Sequence, residues 1–220
     1  MFQREVTYIR THDLLKIDTE RFLSLQASAP AWAAEVLQRV PYLVVRRGQA
    51  SGQTIPVGVR GTERNQRWAA ECSPALVKGI TTPAQLLNRN VPMFGADSVP
   101  AFDSLLLLKD RWTGFARSWG PGGSVGFELA TGSHVAKSES DLDIIVYADE
   151  PITTDEAKSL CALASALPTA IDICVETRTC GFSLKEYASQ GPAPILLRTP
   201  CGAKLGRVSW SEDEGSKSST

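Results

Sequence analysis

The chain has 220 residues, of which 43% are hydrophobic and 21% are charged, and its 23 basic side chains nearly balance 24 acidic ones. This composition suits one or two globular domains and excludes a disordered, collagen-like or disulfide-stapled chain. The net charge of -1, the lack of any apolar run near the ~20 residues of a membrane span and the lack of a signal-peptide core predict a cytoplasmic protein with neither nucleic acid nor membrane as partner.

The first part of the chain mixes helical and extended patterns. The spacing of apolar residues predicts a short helix at 31–40, two strands at Leu43–Val45 and Ile55–Val59, and a second helix that begins at Pro83. Proline and glycine accumulate between Thr81 and Pro100, which predicts a domain boundary. We therefore expect an N-terminal domain at 1–85, a second domain at 86–210 and a disordered polar tail at 211–220.

The second part alternates helices and strands. Its predicted elements, in chain order, are a helix at Phe102–Arg111 opened by Pro100, a strand at Phe115–Trp119, a turn at Gly120–Ser124, a helix at Val125–Ala130, a strand at Leu142–Tyr147, a helix that begins at a Thr153–Glu156 capping box and ends at Pro168, and a strand at Ala170–Val175. This order predicts the α+β class, with a small N-terminal α/β domain followed by a mixed sheet flanked by helices.

Two aspartates open an otherwise apolar strand. Asp141 and Asp143 are two residues apart, so on a strand both carboxylates point to the same face. Two close carboxylates repel each other unless a cation lies between them, and Mg²⁺ favours carboxylate oxygens completed by substrate phosphates. We therefore expect Asp141 and Asp143 to bind Mg²⁺ or Mn²⁺. The alternative is that both are ordinary turn residues.

Two further features complete this pattern. Asp172 is a lone charge inside an apolar strand, and burial of an unpaired carboxylate is costly, so we expect it to join the other two if the strands pair. Gly123 and Ser124 precede Asp141 by 17 residues or more and suit phosphate binding through backbone N–H groups, a hydroxyl and a helix N-terminus. A paired core carboxylate and a simple tight turn are the structural alternatives.

The Gly-Ser turn, the Asp-x-Asp strand and the later aspartate together resemble the nucleotidyltransferases of the DNA polymerase β type. In that chemistry, metal ions held by Asp141 and Asp143 neutralise charge on the triphosphate. Asp172 would complete the metal site or accept the proton of the attacking hydroxyl. The resemblance thus implies transfer of a phosphorus-linked group to a hydroxyl.

A narrower resemblance covers roughly residues 8–208. The run from Gly120 to Gly132, the Ser140–Asp143 segment, and Arg10–Leu15 near the start are similar to phosphoribosyl-dephospho-CoA transferase, also called malonate decarboxylase holo-acyl-carrier-protein synthase; Thr11 departs from that family's proline. The resemblance implies 2′-(5″-triphosphoribosyl)-3′-dephospho-CoA as donor, a serine of the malonate decarboxylase acyl-carrier subunit as acceptor, and pyrophosphate as leaving group. It also makes Glu128 and Thr131 candidate donor-binding residues.

Several alternatives stay open. Thr131-Gly132 is equally typical of a helix C-terminus, and His134 is either a phosphate ligand or a solvated loop residue. Two groups of basic residues either bind partners or are simply solvated surface charges. The candidates for binding an acidic carrier protein are Arg46, Arg47, Arg60, Arg64 and Arg67, and those for binding the triphosphate are Lys185, Arg198, Lys204 and Arg207. A nucleotidyltransferase acting on another hydroxyl, or a non-catalytic binding module of the same fold, are the alternative functions.

Overall fold

Two β-sheets organise the chain, one in each of two compact units, Met1–Thr82 and Pro83–Thr220. The computed structural model describes residues 9–49, 52–63, 65–91, 99–191 and 193–210. The tail predicted at 211–220 lies outside the described residues. In the part of the chain that is described, no helix is both long and apolar enough to cross a membrane. The predicted α+β class is confirmed, since both units combine helices with a sheet.

The first unit contains a five-stranded antiparallel sheet in the order β4-β3-β2-β1-β5. Its strands are β1 (Leu14–Ile17), β2 (Tyr42–Val45), β3 (Ile55–Arg60), β4 (Arg67–Cys72) and β5 (Val77–Thr81). Its helices are α1 (Thr19–Ser24), α2 (Ala31–Arg39) and one turn of 3-10 helix at Pro74–Leu76. The predicted helix and the two predicted strands of this region correspond to α2, β2 and β3.

Alternation along β3 shows how this sheet forms its core. Ile55, Val57 and Val59 are buried on one face, where they join a cluster that includes Phe22 of α1 and Leu37 of α2. The residues between them point to the opposite face. One face of the sheet is therefore covered by the two helices of its own unit.

The second unit contains a six-stranded mixed sheet in the order β11-β10-β9-β8-β7-β6. Only β7 and β8 pair in parallel among these strands. Its elements are α3 (Pro83–Leu86), α4 (Pro100–Arg111), β6 (Trp119–Pro121), α5 (Gly123–Thr131), β7 (Leu142–Tyr147), α6 (Thr154–Ser165), β8 (Ile171–Glu176), β9 (Gly181–Ser183), α7 (Leu184–Gln190), β10 (Ile195–Thr199) and β11 (Gly202–Gly206).

The glycine-rich run departs from the sequence-based prediction. The strand expected at Phe115–Trp119 is wrong, because the strand is Trp119–Pro121 and so enters the predicted turn. The helix α5 then begins at Gly123, inside the same turn. A proline is tolerated in β6 because β6 is the edge strand of the sheet. The run that looked like a turn therefore contributes to both a strand and a helix.

A tight turn precedes β1 and buries a carboxyl group. Asp13 is 1% exposed, and its Oδ2 accepts a hydrogen bond of 2.8 Å from the backbone N–H of Arg10. Its Oδ1 has no hydrogen-bond partner among the described residues. Burial raises the pKa of Asp13 to about 6, against the lowering effects of the Arg10 N–H and of the charges on Arg10 and His12.

This raised pKa predicts a loss of stability as the pH rises. In the unfolded chain Asp13 releases its proton near its ordinary pKa of 3.8, whereas in the folded chain it keeps the proton until about pH 6. The unfolded state therefore binds fewer protons in this window, and Asp13 lowers the free energy of unfolding by about 2 kcal/mol between pH 4.5 and 7.5. Urea denaturation at the two pH values should show this contribution as the difference between wild type and Asp13→Asn. A difference that is the same at both pH values would contradict it.

Candidate active site

Asp143 and Asp172 lie side by side on the two parallel strands of the second sheet. They are register partners in the β7–β8 pair, and neighbouring strands are separated by about 4.8 Å. Asp143 is half-buried and Asp172 is exposed, while exposed Asp141 comes directly before β7 and two residues before Asp143. The strands pair as the sequence argument required, and their parallel pairing brings the Asp143 and Asp172 positions together at the beginning of both strands.

The first turn of α5 lies against Asp143. The backbone N–H of Gly122 donates to the carbonyl oxygen of Asp143 at 2.9 Å. Gly123 has a φ of 55°, and a Cβ at this position would overlap Oδ2 of Asp143. Only glycine therefore allows the Asp143 carboxylate to lie against the helix N-terminus in this arrangement. Ser124 is the second residue of the helix and is partly exposed.

This arrangement places a helix N-terminus, which favours anions, next to carboxylates, which favour a metal cation. The first N–H groups of a helix have no partner within the helix and, with the helix dipole, favour an anion such as phosphate. Carboxylate oxygens are the ligands that Mg²⁺ prefers. The residues present thus fit a divalent cation at the aspartates beside a phosphate group at the start of α5. The binding of a metal by Asp141 and Asp143 and the binding of phosphate by Gly123 and Ser124 stay predictions.

Glu128 lies on α5 but its carboxylate is directed into the protein. The residue is 4% exposed. Its Oε2 accepts hydrogen bonds of 2.9 Å from the backbone N–H groups of Val135 and Ala136, and its Oε1 lies 3.1 Å from Nδ1 of His134. Donor binding by Glu128 stays a prediction, but the contacts assign it a different task. It anchors the loop that runs from α5 back to Asp141.

Thr131 ends α5. Its hydroxyl donates to the carbonyl oxygen of Phe127 at 2.8 Å and accepts from the N–H of Ser133 at 3.2 Å. Gly132 follows in the left-handed conformation as the C-cap. The helix-terminus alternative considered for Thr131-Gly132 is thus what the structure shows, while contact of Thr131 with the donor stays a prediction.

The Glu128 anchor leads to a prediction about stability. Glu128→Ala should lower the free energy of unfolding by about 2–3 kcal/mol, because the backbone N–H groups of Val135 and Ala136 both lose a charged hydrogen-bond acceptor. His134→Ala should cost about 0.5 kcal/mol or less, because the His134 side chain is 79% exposed and both backbone hydrogen bonds remain. Thermal unfolding of both variants measures the difference. Equal losses would show that the His134 contact, and not the backbone anchor, stabilises the loop.

Arg198 is a basic residue whose position the sequence could not specify. On β10 it is the register partner of Gly181 on β9, and Gly181 in turn is the register partner of Glu176 on β8. Glu176 lies four residues after Asp172 on that strand. Alternation therefore places Arg198 on the face that carries Asp172. One of its terminal nitrogens lies 3.6 Å from Sγ of Cys174 on that face. Lys204, which the sequence grouped with Arg198, is opposite Leu197 and so belongs to the other face.

Known proteins match nearly the whole described chain. A family model described as the phosphoribosyl-dephospho-CoA transferase MdcG N-terminal domain matches residues 10–83, and one described as the corresponding C-terminal domain matches residues 91–209. No solved structure gives a significant match.

Curated relatives agree with these two matches. A protein of Azotobacter vinelandii is 36% identical over 91% of this chain and 94% of its own length. A protein of Klebsiella pneumoniae is 33% identical over 93% of this chain and 98% of its own length. A protein of Pseudomonas fluorescens is 35% identical over 92% of this chain and 94% of its own length. All three are named phosphoribosyl-dephospho-CoA transferase. With two domain models matched in order and full-length relatives above 30% identity, the chain belongs to the phosphoribosyl-dephospho-CoA transferase family and is a transferase.

Proposed function

We propose that this protein transfers phosphoribosyl-dephospho-CoA from 2′-(5″-triphosphoribosyl)-3′-dephospho-CoA to a serine of the acyl-carrier subunit of malonate decarboxylase and releases pyrophosphate. The names of its relatives support the transferred group. The observation that carries the proposal is the contact of the α5 N-terminus with Asp143, which has Asp172 as its register partner. This geometry suits a triphosphate and an attacking hydroxyl held where β7 and β8 begin.

The reaction is a substitution at phosphorus. The serine oxygen forms a bond to the α-phosphorus as the bond from that phosphorus to the bridging oxygen of the β-phosphate breaks. The hydroxyl proton passes to a base, and pyrophosphate leaves. Asp172 is exposed and adjacent to Asp143, so it is suited either to accept this proton or to complete a metal site.

The remaining residues orient the donor. The N–H groups at the start of α5 and the hydroxyl of Ser124 are suited to donate hydrogen bonds to phosphate oxygens. Asp141 and Asp143 would hold Mg²⁺ or Mn²⁺. Such an ion, when bound, supplies positive charge that offsets the charge on the transferring and leaving phosphates. Glu128 fixes the loop that precedes Asp141 and so positions that carboxylate.

The test is the intact mass of the carrier subunit after incubation with this protein, Mg²⁺ and the triphosphoribosyl donor, with and without a chelator. We expect a mass gain equal to phosphoribosyl-dephospho-CoA, located on a serine and abolished by the chelator. No gain with an authentic donor and a folded carrier would reject this acceptor. Pyrophosphate release with other hydroxyl acceptors would then identify a nucleotidyltransferase of different specificity.

A further inference from the structure

Three exposed arginines lie on the face of the first sheet that its own helices leave uncovered. Along β3, Pro56, Gly58 and Arg60 alternate with the buried valines, so they point away from α1 and α2. Arg60 is the register partner of Arg67 on β4, and Arg46 directly follows β2. We call Arg46, Arg60 and Arg67 the arginine face. All three side chains are exposed.

The Arg60–Arg67 pair is electrostatically unfavourable by itself. Side chains of register partners on an antiparallel sheet are separated by about 5 Å at Cβ, and like charges in that position destabilise the sheet. None of the three guanidinium groups of the arginine face forms an ion pair or hydrogen bond with a residue that the structure describes. Among the described residues, these adjacent positive charges therefore have no neutralising partner.

Arg46 adds a third charge to this pair. Its backbone N–H donates to the carbonyl of Pro56, yet its side chain leans over the next outward position of β3. A Cβ at Gly58 would lie 2.9 Å from Cδ of Arg46, so the arginine stem rests directly on the glycine. The Arg46 side chain therefore leans away from Pro56, whose register partner on β4 is Glu71, and toward the Arg60–Arg67 pair. Arg46 thus extends away from an acidic residue and toward two like charges.

We propose that the arginine face is the docking surface for an acidic patch of the protein that carries the acceptor hydroxyl. This inference rests on the proposed function and adds to it the place where the acceptor protein binds. Unneutralised guanidinium groups are suited to bidentate pairing with carboxylates and would steer an acidic partner toward the enzyme. Gly58 and Ala69 are register partners between the Arg60–Arg67 pair and the position of Arg46, and their lack of bulk lets the Arg46 stem lie across the sheet toward that pair. The net charge of -1 for the whole chain argues against nucleic acid as the occupant.

The experiment compares the triple variant Arg46→Gln/Arg60→Gln/Arg67→Gln with Arg39→Gln. Arg39 is exposed on α2, which packs on the other face of the sheet, so Arg39→Gln controls for the loss of a positive charge away from the arginine face. We expect the triple variant to raise the Kd and the KM for the carrier subunit about tenfold or more at low salt and to remove most of their salt dependence. The KM for the donor, and kcat at saturating carrier, should stay within about twofold of wild type.

Several outcomes would overturn the docking proposal. A carrier Kd that is unchanged in the triple variant, or that changes equally in Arg39→Gln, would show that docking occurs elsewhere. A rise in the donor KM would assign the face to donor phosphates, and absence of carrier binding by the wild type would remove the partner. The proposed function is tested separately, because transfer by the wild type is measured in the same assay. Arginine-dependent binding without transfer would reject that function and keep the docking surface.

Discussion

Asp143→Asn is expected to abolish transfer to the carrier while the protein stays folded. The substitution keeps the size of the side chain but removes the charge beside the N-terminus of α5 and next to Asp172. If Asp143 holds the metal, turnover should fall by about 10³-fold or more, since charge stabilisation of this kind contributes several kcal/mol. The measurement is carrier mass gain over time, with thermal unfolding to establish that the fold is intact.

A matched acidic residue serves as the control for this result. Asp155 is on α6, its side chain is 96% exposed, and its carboxylate forms a long ion pair of 3.9 Å with Lys158. Asp155→Asn should therefore keep full turnover. Asp141→Ala should behave like Asp143→Asn. Turnover in either site variant within about tenfold of wild type would remove the metal assignment, and nearly full turnover in Asp172→Asn would exclude both roles suggested for Asp172.

The core of the second unit could be predicted from local patterns. The strands β7 and β8 are apolar runs with Asp143 and Asp172 near their starts, and Glu176 ends β8. The helix between them is capped by Thr153, whose hydroxyl accepts from the N–H of Glu156 at 3.1 Å. The capping box is only half formed, because the Glu156 carboxylate pairs with Arg117 instead. That pairing joins residues 39 apart in the chain, which no local pattern indicates.

Other features depend on contacts that the sequence does not display. The strand β11 is almost wholly exposed, so it carries no alternation of apolar and polar residues. The role of Glu128 as a loop anchor follows from a buried carboxylate that meets N–H groups seven and eight residues later. The lean of Arg46 over Gly58 likewise depends on strand pairing. Local sequence therefore predicted the positions of the acidic residues better than the residues that orient them.

Gly123→Ala is expected to reduce turnover by about 10²-fold, because the new methyl group would displace the Asp143 carboxylate, and small misplacements of reacting groups have effects of this size. The substitution also forces alanine into a φ of 55°, which costs about 1 kcal/mol of stability. Turnover and thermal unfolding of the variant separate the two effects.

Gly132→Ala provides a matched comparison at the C-cap of the same helix. Gly132 has a φ of 74°, so alanine suffers a similar backbone strain, but a Cβ there meets nothing within 4 Å. This variant should lose about 1 kcal/mol of stability and keep turnover within about twofold. If both glycine variants lose turnover equally, backbone strain in α5 is sufficient to explain the loss, and the contact between Gly123 and Asp143 has no separate role. If only Gly123→Ala loses turnover, the close approach of α5 to the carboxylate is what the reaction requires.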